Sequence, residues 1–386
     1  MSRIPLLLIG DGPSEPSGLG RIARDLSGLL ATSDLPIDLV QVGGTVPPVW
    51  SQWRHLPLDL GTDWDWGASC VQRIWSDLWG SMPGILFIVW DPGRLLPYAQ
   101  VDLPVQKWCY TAVDGANIHG QISGPAQHAL RQFDRVLAYG RYGAEVLKKS
   151  LAHDVAYLPH GILSQVYEAP VSESEQAWVR STLGPFYREG DTLVGCVATN
   201  QFRKDLGVYC QTLRMLLDRG RKVFGWLHTD TAVKAWAVQQ LVEDFGLSKR
   251  IRVTIREFTD RQLAVLYQSC ALTVLPSLGE GFGYPLVESL AAGVPVIHGD
   301  CGGGAELIPR TEWRVPVRAS RLEGIYAICR PVFEVSDWAN AVERCLNWKD
   351  AVGEPTVSAY CQGAIAHLDW HTLWPRWRSW FKGGLE

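Results

Sequence analysis

The sequence predicts an α/β chain built on two parallel, doubly wound sheets. Short apolar runs alternate with helical patterns along most of its length, and several of these runs end in glycine-rich loops that lead into helices. A chain of 386 residues is also too long for one ordinary domain and suits two of about 180 residues each. Hydrophobic residues make up 47% and charged residues 20%, which provides for two apolar cores. The net charge of −4 gives no general attraction to nucleic acid or anionic membrane. Nine cysteines without a C-x-x-C pair point to reduced thiols in a cytoplasm and offer no metal-site spacing.

The first strand is expected at residues 4–9. That run is too short to cross a bilayer and lacks a small-residue cleavage site, so it reads as a strand rather than a signal. A loop from Gly10 to Gly20 follows, then a helix over residues 21–30. Gly18 and Gly20 would let the backbone approach a ligand beside the N-terminus of that helix. Residues 43–68, with Pro47, Pro48, Trp50, Trp53, Trp64 and Trp66, are expected to be irregular. Asp63-Trp64-Asp65 imitates a D-x-D metal motif but follows no strand, so it is expected to be incidental and no metal site is assigned. Residues 85–89 and 105–109 read as buried strands. The second leads into a polar loop over residues 110–120 that carries Asp114 and His119. A strand at 136–139 and a helix at 141–149 follow. Residues 155–162, with His160, close the first half, and the acidic stretch 168–180 reads as a loosely patterned crossing.

The second half opens with a strand at 192–198 and a polar turn ending in Arg203, Lys204 and Asp205. A helix at 206–219, a strand at 223–227, a helix at 233–245 and a strand at 251–255 come next. Thr259 and Asp260 cap the following helix. The apolar run 271–275 ends at Pro276, and the loop Ser277-Leu278-Gly279-Glu280-Gly281-Phe282-Gly283 enters a helix with Pro285 in its first turn. Gly293 closes that helix and Pro295 prevents its continuation. Glu280 and Glu288 are separated by seven residues, at the carboxyl edge of a parallel sheet, where a carboxylate can accept hydrogen bonds from the vicinal hydroxyls of a ribose. Residues 300–307 repeat the step from glycine loop to helix. Trp370, Trp374 and Trp377 share one face of a last helix and read as a packing face.

The segment from Pro276 to Val296 resembles the E-x7-E signature of retaining GT-B glycosyltransferases, specifically glycosyltransferase family 4. The resemblance is close over residues 258–307 and looser along most of the chain. It implies a GT-B fold: two Rossmann-like domains facing a central cleft, with the C-terminal helix crossing back to the first. The acceptor domain would be residues 1–165 plus helix 366–386, and the donor domain 166–365. It further implies that Glu288 holds the ribose of a nucleotide-sugar and that Glu280 contacts the transferred sugar, with Gly281, Phe282 and Gly283 around the donor. Lys204 and Arg203 would neutralise the diphosphate, although Ala198-Thr199-Asn200 stand where the family often has Gly-Arg. Either Asp114 or His119 would meet the reacting sugar from the acceptor side, Gly18 and Gly20 would face the donor, and His160 would be a hinge residue. Neither Lys204 nor Glu288 is expected in an apolar core.

The expected activity is metal-independent, retaining transfer of a hexose-like sugar from a UDP- or GDP-linked donor, with no cofactor beyond that co-substrate. Glycan, small molecule, protein and modified DNA remain open as acceptors, the last through cations such as Arg376, Arg378, Lys382, Lys148 and Lys149. A GT-B epimerase or phosphorylase, and a non-catalytic nucleotide-sugar or glycan-binding protein, are the alternatives.

Overall fold

The computed structural model describes residues 3–46, 48, 51–61 and 64–385. The chain divides into two compact units. The first comprises Met1–His160, Gly324–Ile328 and Leu373–Glu386, and the second Gly161–Glu323 and Cys329–Thr372.

In the first unit the order is β1 (Ile4–Ile9), α1 (Gly18–Ala31), β2 (Ile37–Val42), β3 (Arg54–Leu56), α2 (Ala68–Trp79), β4 (Gly84–Val89), α3 (Leu95–Ala99), β5 (Val105–Thr111), α4 (Gly124–Leu130), β6 (Arg135–Ala138), α5 (Arg141–Leu151) and β7 (Ala156–Tyr157). The strands form one sheet in the order β3-β2-β1-β4-β5-β6-β7. Neighbours run parallel, with Leu6 opposite both Leu39 and Ile85. Leu6, Leu7, Leu8, Leu86, Phe87 and Ile88 are all wholly buried, which is why these strands are apolar without alternation: helices cover both faces. β3 corrects the expectation of irregular structure over 43–68. Three residues there complete the sheet edge, and Arg54 is held to Asp38 of β2 at 2.9 Å. The C-terminal segment of this unit presses Trp377 and Phe381, four residues apart and fully buried, against Tyr110, Phe87 and Trp108. Trp377 Nε1 donates to Pro159 O at 2.9 Å. Trp374 is only half-buried, so the packing face is displaced from the predicted stripe.

The second unit continues with α6 (Ser164–Glu168), α7 (Glu173–Leu183), β8 (Thr192–Val197), α8 (Leu206–Asp218), β9 (Val223–His228), α9 (Val238–Asp244), β10 (Ile251–Thr254), α10 (Asp260–Gln268), β11 (Leu272–Leu275), α11 (Tyr284–Ala291), β12 (Val296–Gly299) and β13 (Arg314–Val315). After these come the strands β14 (Ala319–Glu323) and β15 (Ile328–Val332), then α12 (Val335–Val352), α13 (Glu354–Ile365) and α14 (Trp370–Leu385), the last running on into the C-terminal segment above. The sheet order is β10-β9-β8-β11-β12-β13. The chain therefore winds outward from β8 to β10 and returns to the other side of β8 at β11. The loops after β8 and β11 flank the point where strand order reverses, which is where such sheets receive ligands.

Three expectations are corrected in this unit. The acidic stretch before β8 is a true helix, α7, with a capping box in which Ser172 Oγ accepts from Glu175 N–H and the Glu175 side chain accepts in return. The helix expected from residue 233 starts only at Val238. Asn200 grips the intervening loop, donating to Thr231 O and Trp236 O and accepting from Trp236 N–H, and so holds residues 231–236 out of helical geometry. After Gly302 there is a five-residue 3-10 turn, Gly303–Leu307, rather than an α-helix. A Cβ at Gly303 would lie 2.6 Å from Gly281 O and one at Gly304 2.4 Å from His298 Nε2, so close packing against the neighbouring loop demands these glycines.

Candidate functional site

The reversal point of the second sheet gathers three loops by backbone hydrogen bonds. Leu278 N–H donates to Arg203 O at 2.6 Å, tying the loop after β11 to the one after β8. Gly303 N–H donates to Glu280 O at 2.8 Å and adds the loop after β12. Asp205 caps α8 from a left-handed conformation, φ 44°, and this reversal follows directly on the single 3-10 turn that presents Arg203 and Lys204. Gly283, at φ 100°, turns the loop into α11 at an angle that favours glycine.

The side chains meet accordingly. Lys204 Nζ lies 2.5 Å from Glu280 Oε1, and Arg203 Nη1 lies 3.3 Å from Glu280 Oε2 while donating to Gly279 O at 2.8 Å. Lys204 is 6% exposed and Glu280 4%, against the expectation that the lysine lies clear of a core. Burial would push the Glu280 carboxyl up, but the charges of Lys204 and then Arg203 outweigh it and hold the group at about 2. Because its folded value is depressed, Glu280 contributes stability that is complete above the ordinary carboxylate range near 4.5 and lost as pH falls toward 2. Glu280→Gln should therefore flatten the acid limb of a stability–pH curve in that window, measured by denaturant titration.

Glu288 lies in α11, 4% exposed. Its Oε1 accepts from Tyr167 Oη at 3.1 Å and its Oε2 from Tyr267 Oη at 2.9 Å. Phe282 is buried and stands edge-on to Tyr284, with ring centroids 5.8 Å apart. Sequence reasoning missed both hydroxyl donors, since a tyrosine in a core pattern reads as packing.

The first unit holds the remaining candidates. Ser17 Oγ accepts from Gly20 N–H at 2.9 Å and donates to Asp11 at 2.8 Å. A Cβ on Gly20 would lie 2.6 Å from Gly12 O, so the chain's own loop already requires this glycine; Gly18 opens α1 and is exposed. Asp114 is half-buried in the loop after β5, and His119 is exposed on a turn whose N–H donates to Asn117 Oδ1 at 2.9 Å. His160 is wholly buried with Nδ1 3.0 Å from Tyr110 Oη, and burial, followed by the nearby Arg21 charge, depresses its affinity for protons well below the usual value. Burial depresses His228 likewise, to about 4, and also lowers His298. Histidines kept neutral when folded favour the native state above the unfolded value near 6.5 and cost stability below it. Stability should fall as pH drops from about 6.5 toward 4, and His228→Gln should reduce that slope in thermal melts.

Asp63 lies outside the described residues. The carboxylate of Asp65 accepts from Gly67 N–H at 3.0 Å and Ser69 N–H at 2.8 Å, which ties it to the backbone at the start of α2. Among the described residues no group of three His, Cys, Asp or Glu side chains is placed to hold a metal ion, and no helix is long and apolar enough to cross a membrane. Of the cations considered for nucleic acid, Lys148 pairs with Asp154 at 2.8 Å and Arg378 grips Asp34 with two nitrogens.

Two α/β units with parallel, doubly wound sheets define the GT-B class of fold, and solved structures of that class match the chain from end to end. Sucrose-phosphate synthase from Thermosynechococcus elongatus superposes with a TM-score of 0.75 at 17% identity, covering 99% of each chain. The Anabaena protein HepE, solved in complex with UDP and glucose, gives 0.69 at 14% identity, covering 99% of this chain and 100% of that one. At the level of sequence, residues 192–347 match the family model described as glycosyl transferases group 1. The lipopolysaccharide core biosynthesis mannosyltransferase of Rhizobium leguminosarum bv. viciae is 28% identical over 217 residues, 55% of this chain and 57% of that protein. The D-inositol 3-phosphate glycosyltransferase of Nocardia farcinica is 26% identical over 174 residues, 45% and 33% of the two chains. The chain thus spans a third to little more than half the length of these curated relatives.

Proposed function

We propose that this protein is a retaining glycosyltransferase of family 4 type that moves a sugar from a UDP- or GDP-linked donor to an acceptor. The observation that carries this reading is the cluster of Lys204, Arg203 and Glu280 at the reversal point of the second sheet, with Glu288 in the helix that follows. Cleaving a sugar–phosphate bond leaves a nucleoside diphosphate whose charge grows in the transition state, so fixed cations there accelerate the step. Lys204 and Arg203 are the cations this cluster brings to the sheet edge, and an ammonium and a guanidinium are the groups suited to phosphate oxygens. Glu280, ionised at neutral pH, would accept from sugar hydroxyls, and Glu288 from the ribose.

Retention fits front-face attack. The acceptor oxygen bonds to the anomeric carbon as the carbon–phosphate oxygen bond breaks, and the acceptor proton passes to the leaving phosphate. The protein then positions reactants and stabilises charge, without a nucleophilic carboxylate. Asp114 or His119 would serve the acceptor side. The mannosyltransferase and glycosyltransferase relatives and the UDP complex of HepE support a nucleotide-sugar donor. Glycan, small molecule, protein and modified DNA stay open as acceptors, and cytoplasmic residence is part of this reading.

The test is a panel of nucleotide-sugars assayed for released UDP or GDP with and without candidate acceptors. Transfer to one acceptor class supports the proposal. Sugar epimerisation without transfer would move the assignment to an epimerase, and binding without turnover to a non-catalytic protein. Because cations of the protein are assigned to the diphosphate, EDTA should leave turnover nearly intact; complete loss restored by Mn²⁺ or Mg²⁺ would sink that assignment.

A further inference from the structure

His298 is the third residue of β12 and is wholly buried, and no step of the proposed transfer uses it. Its Nδ1 lies 2.8 Å from the carbonyl oxygen of Leu275, the residue opposite it in register on β11. A carbonyl oxygen only accepts, so the proton of the neutral ring is on Nδ1 and Nε2 carries a bare lone pair. Nε2 is buried without a hydrogen-bond partner. A buried acceptor in that state costs about 1–3 kcal/mol. The two residues before it, Val296 and Ile297, are aliphatic and buried, and packing alone would be better served by a third.

The contacts of the ring give the histidine a reason. A β-carbon on Gly304 would lie 2.4 Å from Nε2 and 2.9 Å from Cδ2, so the ring bears directly on the backbone of the Gly303–Leu307 turn. One residue earlier, Gly303 N–H donates to Glu280 O at 2.8 Å. A β-carbon on Gly302 would lie 3.2 Å from both Glu280 N and Glu280 O. His298 therefore holds the end of β11 with one nitrogen and presses on the glycine turn with the other. That turn is bonded in its turn to the residue that pairs with Lys204.

A proton added to Nε2 would aim an N–H at the Gly304 methylene, with no acceptor for it among the described residues, and would bring a charge into a sealed site. We propose that His298 is a positioning residue whose neutral ring seats the Gly303–Leu307 turn on the loop carrying Glu280, and that a proton on Nε2 unseats this turn and stops transfer. The effect on transfer rests on the transferase reading above. Around the ring stand Glu280 on the loop after β11 and Asp300 after β12, which favour the proton, and Lys204 after β8, which opposes it. Arg314, opposite His298 on β13, lies 3.6 Å from Asp300 and donates to Ile308 O at 2.8 Å. Glu306 is the charged residue of the turn and Glu288 that of α11. Burial has the largest influence and lowers the proton affinity of His298. Activity is therefore complete above the ordinary imidazole value near 6.5 and is lost as pH falls through the lower folded value.

The test is the pH profile of kcat/KM for the donor in the full chain, in wild type, His298→Phe and His298→Asn, with thermal melts in each buffer to stay below unfolding. Phenylalanine keeps a ring against Gly304, asparagine keeps an N–H for Leu275 O, and neither takes up the proton. Wild type should lose activity by about tenfold per pH unit on its acid limb. Both variants should lose activity at neutral pH, on the order of tenfold, and should flatten that limb. A second measurement needs no donor. Hydrogen exchange at Gly303 N–H, corrected for its intrinsic rate, should quicken in wild type as the His298 ring titrates, followed by ring-nitrogen NMR. Variants that keep the wild-type acid limb, or a Gly303 amide whose protection is unchanged while His298 titrates, would overturn the inference. The exchange measurement uses wild type alone, so a variant that folds poorly does not shield it. Absence of turnover with every nucleotide-sugar would count against the transferase reading instead, and exchange at Gly303 would still decide whether His298 seats the turn.

Discussion

Lys204→Ala is expected to lower kcat by on the order of 10²-fold or more, with a smaller change in donor KM. Phosphate charge increases as the glycosidic bond breaks, so the lysine interacts more strongly with the transition state than with the ground state. Arg203, 3.3 Å from the same carboxylate, remains in the variant and limits the loss. The burial of Lys204 adds a second expected result. Removing the ammonium leaves Glu280 buried beside a single cation, so the variant should also lose stability, on the order of a few kcal/mol. Steady-state release of nucleoside diphosphate, read beside thermal unfolding, separates the two effects. Lys204→Ala, Glu280→Gln should recover much of the stability and none of the rate. An unchanged kcat in Lys204→Ala would end the assignment of this cation to the diphosphate.

Glu288→Ala is expected to raise donor KM roughly tenfold to a hundredfold, about 1.5–3 kcal/mol, while kcat stays near wild type. The ribose does not change during the reaction, so its carboxylate contributes equally to ground and transition states. The same substitution removes a buried acceptor from the hydroxyls of Tyr167 and Tyr267, and some loss of Tm should accompany it. Collapse of kcat with unchanged donor affinity would place Glu288 in the chemistry instead of in binding.

How far the sequence alone reaches can be judged element by element. The strands at Ile4–Ile9, Gly84–Val89, Thr192–Val197 and Leu272–Leu275 were legible because a strand buried on both faces is an unbroken apolar run. The α11 turn was legible because Gly283, Pro285 and Gly293 act through local backbone geometry. Thr259 was readable as a cap for the same reason, and its bond to Gln262 N–H is purely local. Clustering of chemical residue types near 203–204 and 280–288 was visible as well, since loops that follow parallel strands end at the same sheet edge.

What the tertiary structure alone decided are the features made by contacts between residues distant in the chain. The Lys204–Glu280 pair joins positions 76 residues apart, and the Tyr167–Glu288 bond positions 121 apart. No local pattern records such pairings; the first follows from strand order, which brings β8 beside β11, and the second from the packing of α6 against α11. The late start of α9 has the same origin, because Asn200 holds that loop from across the sheet edge and overrides its helical propensity. Burial of Lys204 and Glu280 likewise depends on the three loops closing over one another. Local backbone preferences and apolar runs act within a few residues, so the sequence by itself determined the elements and the residue types available for chemistry. Ionisation, orientation and partnership of those residues depend on packing between elements, and only the folded chain sets them.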